Sequence, residues 1–127
     1  MKYLIMVYSN PTTREMWGGF SDDQRAEGWR AHMALYEDLA ASGELVVAEA
    51  LGDPSLATRV AVSEGRPVTS DGPFAEAKEL LAGFYLIECE TPERALKHAA
   101  RVPEAAFGLV EVRPVLDRGG VGAPPEM

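Results

Sequence analysis

Thr69-Ser70-Asp71-Gly72-Pro73-Phe74-Ala75-Glu76-Ala77-Lys78-Glu79 forms a polar stretch between two apolar runs near the middle of the chain. Asp-Gly is a turn dipeptide, and Pro73 restricts the backbone of Gly72 and offers no backbone donor. The stretch is therefore predicted to be a rigid loop, with Phe74 anchored in the core and the Asp71 carboxylate held in place. A fixed carboxylate is a candidate functional group. An Asx-turn, in which Asp71 bonds only nearby backbone N–H groups, explains the same residues.

The composition is that of a globular domain. The chain has 127 residues, of which 46% are apolar and 25% charged, enough for one domain with a real core. We assign residues 1–116 to that domain and residues 117–127, which are rich in glycine and proline, to a flexible C-terminal tail. The formal charge of −8 repels phosphate backbones and anionic lipid surfaces, so neither nucleic acid nor a membrane is expected as a partner.

The single cysteine, Cys89, cannot form an intramolecular disulfide. No apolar run approaches the roughly 20 residues of a membrane span, and the apolar residues 1–8 are too short for a signal peptide. A cytoplasmic location is therefore expected. The two histidines lack the spacing of metal ligands and there is no phosphate-binding loop, so neither a metal nor another cofactor is expected.

The first third of the chain predicts a strand, a loop and a long helix. Residues 2–8 are rich in β-branched and aromatic types and predict a central strand. Residues 9–20 contain proline and two glycines and are interpreted as a loop that carries Trp17 and Phe20. Ser21 and Gln24 have the spacing of a capping box, so a helix begins there and runs to about Ser42, before Gly43. Its predicted buried face is Trp29, Met33, Tyr36 and Ala40, with Ala26 and Leu39 at the margins and His32 inside that stripe.

The remainder predicts a hairpin and a second strand–helix–strand unit. Strands are expected at 44–51 and 80–88, with a hairpin of 58–63 and 67–70 between them. Thr91 and Pro92 begin a second helix that reaches about Arg101, with Ala95, Leu96, Ala99 and Ala100 inward and His98 in solvent. Residues 109–115 alternate apolar and polar and predict the last strand.

This order predicts an α+β fold of the ferredoxin-like, split βαβ plan with an inserted β-hairpin. Two helices cover only one face of such a sheet. A second copy of the protein could pack against the other face and bury it, so a homodimer is expected.

The sequence resembles the DGPF-type branch of the YciI-like (YCII-related) family over nearly its whole length. The residues that carry the resemblance are Asp71-Gly72-Pro73-Phe74, Gly83-Phe84-Tyr85-Leu86-Ile87-Glu88, Met1-Lys2-Tyr3-Leu4-Ile5-Met6-Val7-Tyr8, Ala99-Ala100-Arg101-Val102-Pro103 and Val110-Glu111-Val112-Arg113-Pro114-Val115. The resemblance implies a ferredoxin-like fold and a dimer whose sheets pack into an α/β barrel. It implies no settled function, because most members of the branch are uncharacterised and many are encoded beside extracytoplasmic-function sigma factors.

The wider family also implies a histidine–aspartate pair as an acid–base dyad, and one relative eliminates chloride from an aromatic substrate. His32 matches the histidine position of that dyad. The aspartate position, before the proline that follows the second helix, is Val102 here. Our own inference from the residues is that Asp71 supplies the missing carboxylate.

Two functions remain open at the level of sequence. In the first, Asp71 orients His32 as the general base of a lyase-like or isomerase-like enzyme for an aromatic or lactone-type substrate. Trp29, Phe74, Lys78 and Tyr85 are its candidate ligand-binding residues, and Arg30, Lys78 or Tyr85 could stabilise an oxyanion. In the second, the chain is a non-catalytic dimeric module that binds a small ligand or a regulatory partner such as a sigma factor.

Overall fold

A computed structural model describes residues 1–75 and 77–116 of the chain. The strands are β1 (Lys2–Ser9), β2 (Leu45–Ala50), β3 (Thr58–Ser63), β4 (Arg66–Asp71), β5 (Leu80–Glu88) and β6 (Val110–Pro114). The helices are α1 (Pro11–Gly19), α2 (Asp22–Ser42) and α3 (Pro92–Ala99), and short 3₁₀ helices cover Pro54–Leu56 and Pro103–Phe107. The predicted tail, 117–127, lies outside the described residues, so the division into domain and tail stays a prediction.

The main sheet has the strand order β2-β5-β1-β6, and each neighbouring pair is antiparallel. This is the order of a ferredoxin-like fold, as predicted, and β1 is central. The inserted hairpin is the separate β3–β4 pair. Its two turn residues, Glu64 and Gly65, both have positive φ, which is the geometry of a type I′ turn.

One face of the sheet packs under the helices. Alternate residues of β1 and β5 point into the core because side chains change face at each step along a strand. The core is completed by aliphatic residues of α2 and α3 and by the segment that follows α3. Its buried members are Tyr3, Ile5, Val7, Leu35, Leu39, Tyr85, Ile87, Cys89, Ala95, Ala99 and Val102.

The prediction of a loop over residues 9–20 is wrong, because residues 11–19 form α1. Asn10 caps this helix: its side chain accepts a hydrogen bond from the backbone N–H of Thr13 at 2.8 Å, and the Thr13 hydroxyl accepts from the backbone N–H of Asn10 at 3.0 Å. Pro11 occupies the first helical position, where proline is favourable. A proline with two glycines favours a loop, but Pro11 directly follows the cap residue and so marks a helix start.

The predicted start and end of α2 are confirmed. Ser21 accepts from the backbone N–H of Gln24 at 3.2 Å, Gln24 accepts from the backbone N–H of Ser21 at 2.8 Å, and Gly43 ends the helix with φ of 79°. The centre of the predicted buried face is wrong: Trp29, Met33 and Tyr36 are exposed. Leu39, predicted at the margin of that face, is fully buried together with Leu35. The face of α2 that meets the sheet is therefore the one that carries Leu35 and Leu39.

The cap at Ser21 gives a first prediction. Ser21→Ala is expected to lower the free energy of unfolding by about 1 kcal/mol, because the Gln24 N–H loses its acceptor. Ser21→Gly is the matched control and is expected to cost only a few tenths of a kcal/mol. Urea denaturation followed by circular dichroism measures both, and equal losses for the two variants would contradict the role of the cap.

Two predictions about α3 are also wrong. The helix begins at Pro92 with Thr91 as its cap, as expected, but Leu96 and Ala100, predicted to face inward, are exposed and His98 is buried. The His98 ring faces Glu44, a buried residue between α2 and β2, with Nε2 at 3.2 Å from both carboxylate oxygens. His98 was placed in solvent because its partner is remote in the sequence.

The loop after β4 also departs from expectation. Phe74 is 67% exposed and is not an anchor in the core. The guanidinium carbon of Arg59 lies 5.6 Å from the centre of the Phe74 ring, so Phe74 packs against the hairpin through a cation–π contact. Gly72 has φ of 85°, and its N–H donates to the carbonyl of Ala57 at 2.7 Å, which ties the loop to the start of β3.

Candidate functional site

His32 lies at the centre of a hydrogen-bonded network of three side chains. Its Nδ1 is 2.6 Å from the hydroxyl of Tyr85, and its Nε2 is 2.7 and 3.1 Å from the two carboxylate oxygens of Glu104. Helix α2 supplies His32, the central strand β5 supplies Tyr85, and the 3₁₀ helix Pro103–Phe107 supplies Glu104. The network therefore joins three elements that are far apart in the sequence.

The fold places each member of this network for a local reason. His32 is one turn before Leu35, on the side of α2 whose aliphatic residues enter the core. Tyr85 points toward α2 because it lies two residues before Ile87, on the same face of β5. Pro103 fixes the first turn of the 3₁₀ helix, and Gly108 ends it with φ of 71°, so Glu104 is held beside the sheet.

The three side chains differ in their access to solvent. Tyr85 is only 6% exposed. The side chains of His32 and Glu104 are 21% and 27% exposed, respectively. Burial, together with the negative charge of Glu104, raises the pKa of Tyr85 to about 12, so its hydroxyl keeps its proton at neutral pH. Tyr85 is thus the inner end of the network and Glu104 the outer end.

Aromatic side chains border the site on its outer side. The rings of Trp29 and His32 have centroids 6.1 Å apart, and Trp17 meets Trp29 edge-on at 6.3 Å. Phe20 continues this row, with its ring 6.0 Å from that of Trp17. Trp29 is 52% exposed, so it offers an open aromatic surface next to the network.

Asp71 is not the carboxylate that contacts His32. It ends β4, where its backbone position faces Thr58 across the hairpin, and its residue is exposed. Both ring nitrogens of His32 bond to other groups, so the predicted hydrogen bond from His32 to Asp71 is not formed among the described residues. A catalytic role for Asp71 stays a prediction.

The candidate ligand residues fall into two groups. Trp29 and Tyr85 lie at His32, as described above. Phe74 instead lines a separate open groove of about 470 Å³ at the root of the hairpin, together with Arg59 and Leu80. Lys78 is exposed in the loop before β5. The binding roles of all four residues stay predictions.

The residue that sequence reasoning missed is Glu104. It stands two positions after Val102, which occupies the expected aspartate position and is buried in the core. The available signal was an acidic residue just after Pro103, in the first turn of a short helix. The family pattern points to the position of Val102 alone, so it does not indicate this neighbouring carboxylate.

The comparisons with known proteins settle the family. The model of the YCII-related domain matches residues 1–118. The chain belongs to the YCII-related family. A relative, an uncharacterized protein of Rhizobium meliloti (strain 1021), is 32% identical over 117 residues, which cover 91% of this chain and 92% of that protein.

A solved structure supports the same fold for this YCII-related chain. It is 5-chloro-2-hydroxyhydroquinone dehydrochlorinase from Burkholderia phenoliruptrix AC1100, in complex with 2,5-dihydroxybenzoquinone. The TM-score is 0.50 at 18% sequence identity, and the match covers 91% of this chain and 93% of that chain. At this identity the likeness concerns the fold. No helix within residues 1–75 and 77–116 has the length and apolar character to cross a membrane.

Proposed function

We propose that this YCII-related chain is an acid–base enzyme of the lyase type that acts on a small aromatic substrate at His32. The observation that carries the proposal is the network in which the His32 ring bonds at both nitrogens, to a phenol at 2.6 Å and to a carboxylate at 2.7 Å. Such a ring is fixed in orientation, and the carboxylate accepts a hydrogen bond from its N–H. Titratable groups held within hydrogen-bond reach of a substrate are the requirement of acid–base catalysis.

The aromatic row beside the network supports an aromatic substrate. A flat ring stacked on the exposed Trp29 would place its substituents next to His32, whose ring centre is 6.1 Å from that of Trp29. The solved structure with a similar fold is that of a dehydrochlorinase in complex with a dihydroxybenzoquinone. Hydroxylated quinones and hydroquinones are therefore the first compounds to test, followed by lactones.

We also infer that the chain acts as a homodimer with an α/β barrel between its sheets. The face of the sheet away from the helices carries Leu4 opposite Leu86 and Met6 opposite Phe84, and all four side chains are partly exposed in a single chain. An antiparallel sheet with an apolar second face requires a cover, and a second copy supplies a matching one. The buried free thiol of Cys89 fits a cytoplasmic location.

A second function is favoured by one feature of the same network. Both nitrogens of His32 are already bonded, which is also how a purely structural histidine is satisfied. The alternative is a non-catalytic dimeric module that binds a small ligand, or a regulatory partner such as an extracytoplasmic-function sigma factor. It differs from the enzyme in one measurable property, since it binds without turnover.

The experiment is a screen of hydroxylated quinones, hydroquinones, their chlorinated forms and lactones against the full chain. We expect at least one hydroxylated aromatic compound to raise the melting temperature and then to disappear with time, followed by its ultraviolet–visible spectrum and by product analysis. A compound that raises the melting temperature but remains unchanged would support the binding module. If no compound of these classes binds, the proposal of an aromatic substrate is wrong.

A further inference from the structure

The hydrogen atoms in the network can be assigned from the chemistry of its two ends. The Tyr85 hydroxyl keeps its proton at neutral pH, since burial raises its pKa to about 12. The nearest acceptor for that proton is Nδ1 of His32 at 2.6 Å, whereas the backbone carbonyl of His32 is 3.5 Å away. At the other end, an ionised carboxylate only accepts hydrogen bonds, so Nε2 of His32 must donate to Glu104.

These two constraints agree on one tautomer of the neutral ring. Nδ1 carries the lone pair and accepts from Tyr85, while Nε2 carries the hydrogen and donates to Glu104 at 2.7 Å. The only basic ring nitrogen therefore faces a residue that is 6% exposed and belongs to a central strand. A substrate that arrives from solvent meets the Nε2–H side of the ring and the Glu104 carboxylate.

We propose that Glu104 is the general base of this site, that His32 is a hydrogen-bond donor through Nε2, and that Tyr85 is the positioning residue that fixes this direction. The inference rests on the proposed function, because it assigns the roles within the same site. It reverses the expectation that the histidine itself removes the proton.

The chemical step balances with these roles. A C–H or O–H bond of the substrate breaks, its proton forms an O–H bond to a carboxylate oxygen of Glu104, and the electron pair stays on the substrate. That pair either forms an enolate-type oxyanion or expels a leaving group from the neighbouring carbon with its bonding electrons. When the Glu104 carboxyl group moves to the substrate, Nε2–H of the fixed His32 ring donates instead to the developing oxyanion, which is the function of an oxyanion-hole donor. Glu104 then returns its proton to the product or to water.

The carboxylate suits this role because it has spare acceptor capacity. Its two oxygens lie 2.7 and 3.1 Å from Nε2, and a carboxylate offers about four lone-pair sites. The Glu104 side chain is also the most exposed of the three, at 27%. It is therefore the member of the network that a substrate from solvent can reach while Tyr85 and His32 stay in place.

Imidazole NMR of the full-length protein without ligand tests the assignment of hydrogens. At pH 7.5 we expect the ¹⁵N spectrum of His32 to report a protonated Nε2 and an unprotonated, hydrogen-bonded Nδ1. Tyr85→Phe should move the Nδ1 resonance toward that of a nitrogen without a hydrogen bond. Tyr3→Phe, which alters another buried tyrosine, should leave both His32 resonances unchanged. A ring protonated at Nδ1 alone, or at both nitrogens, would overturn the inference.

The role of Glu104 is tested by steady-state kinetics. The substrate is a compound that the wild-type chain turns over. We expect Glu104→Gln to lower kcat by about 10²-fold or more, since an amide cannot take up the proton. Glu104→Asp should restore part of that loss, and Glu93→Gln, at an exposed position on α3, should have no effect. Melting temperatures of the variants show that each is folded.

The outcomes separate this inference from the proposed function. Turnover that survives in Glu104→Gln but is lost in His32→Ala would overturn the inference and leave the enzyme proposal intact. Loss of turnover in both variants, with His32 protonated at Nε2, supports Glu104 as the general base. No turnover of any compound by the wild-type chain would overturn the enzyme proposal and the role of Glu104 together.

Discussion

His32→Ala is expected to lower turnover of a hydroxylated aromatic substrate by about 10²-fold or more, whichever of His32 and Glu104 holds the proton. The reason is that the ring contacts both other members of the network, at 2.6 and 2.7 Å. Its removal leaves the Glu104 carboxylate without its donor and the substrate without Nε2–H. Steady-state kinetics with the compound found by screening measures the loss.

The same variant also separates chemistry from binding. Trp29 remains in place in His32→Ala, so we expect the compound still to raise the melting temperature. Glu37→Gln is the matched control, because Glu37 is an exposed residue of the same helix. Turnover by His32→Ala at the wild-type rate would contradict an acid–base site at this position.

Glu44→Gln is expected to lower the free energy of unfolding by about 3 kcal/mol, the lower end of the range for breaking a buried ion pair. Both carboxylate oxygens of Glu44 accept hydrogen bonds from Arg94 at 2.7 Å, and the Ser42 hydroxyl donates at 2.7 Å. His98 lies against the same group at 3.2 Å. The Arg94 side chain is half exposed, so solvent screens part of its attraction and the lower figure applies.

The pH dependence of the free energy of unfolding follows from the same contacts of Glu44. The hydrogen bond from Arg94, with those from Ser42 and His98, lowers the pKa of Glu44 from 4.5 to about 2, against the opposing effect of burial. A depressed pKa means that the stabilisation is fully present above about pH 4.5 and is lost as pH falls from there through 2. The wild-type chain should therefore lose about 3 kcal/mol over this interval from Glu44.

Urea denaturation at several pH values tests this prediction. Glu44→Gln should be less stable at pH 7 and should lack the Glu44 component of the acid-induced loss. Glu49→Gln is the control, since Glu49 is exposed in the adjoining strand β2. Equal stability of Glu44→Gln and Glu49→Gln at pH 7 would mean that the Glu44 cluster adds nothing to the fold.

The secondary structure of most of the chain could be predicted because its signals are local. The capping pair of Ser21 and Gln24 lies three residues apart, and the hairpin turn consists of two adjacent residues, Glu64 and Gly65. The apolar run of β5 was predicted with its bounds at 80 and 88. The Asn10 cap of α1 is equally local. It was not predicted because Pro11 was taken as a sign of a loop and not of a helix start.

The burial of individual side chains was less predictable. Helical spacing places Trp29, Met33 and Tyr36 on one face, but spacing does not state which face meets the sheet. The face of α2 that meets the sheet carries Leu35 and Leu39, and this orientation is set by packing between distant elements. Phe74 was expected in the core for its apolar character alone, and it packs on Arg59 at the surface.

The sequence by itself determined the order of the elements apart from α1, the ferredoxin-like plan, the resemblance to the YCII-related family and His32 as the candidate functional residue. Only the tertiary structure decided the partners of that histidine. Tyr85 is 53 residues and Glu104 is 72 residues from His32, and the pairing of Glu44 with Arg94 spans 50 residues. Side chains at such separations meet only after the strands have paired, so no local pattern encodes their contact. The sequence therefore favoured Asp71 as the carboxylate partner of His32. The fold places Glu104 beside the ring instead.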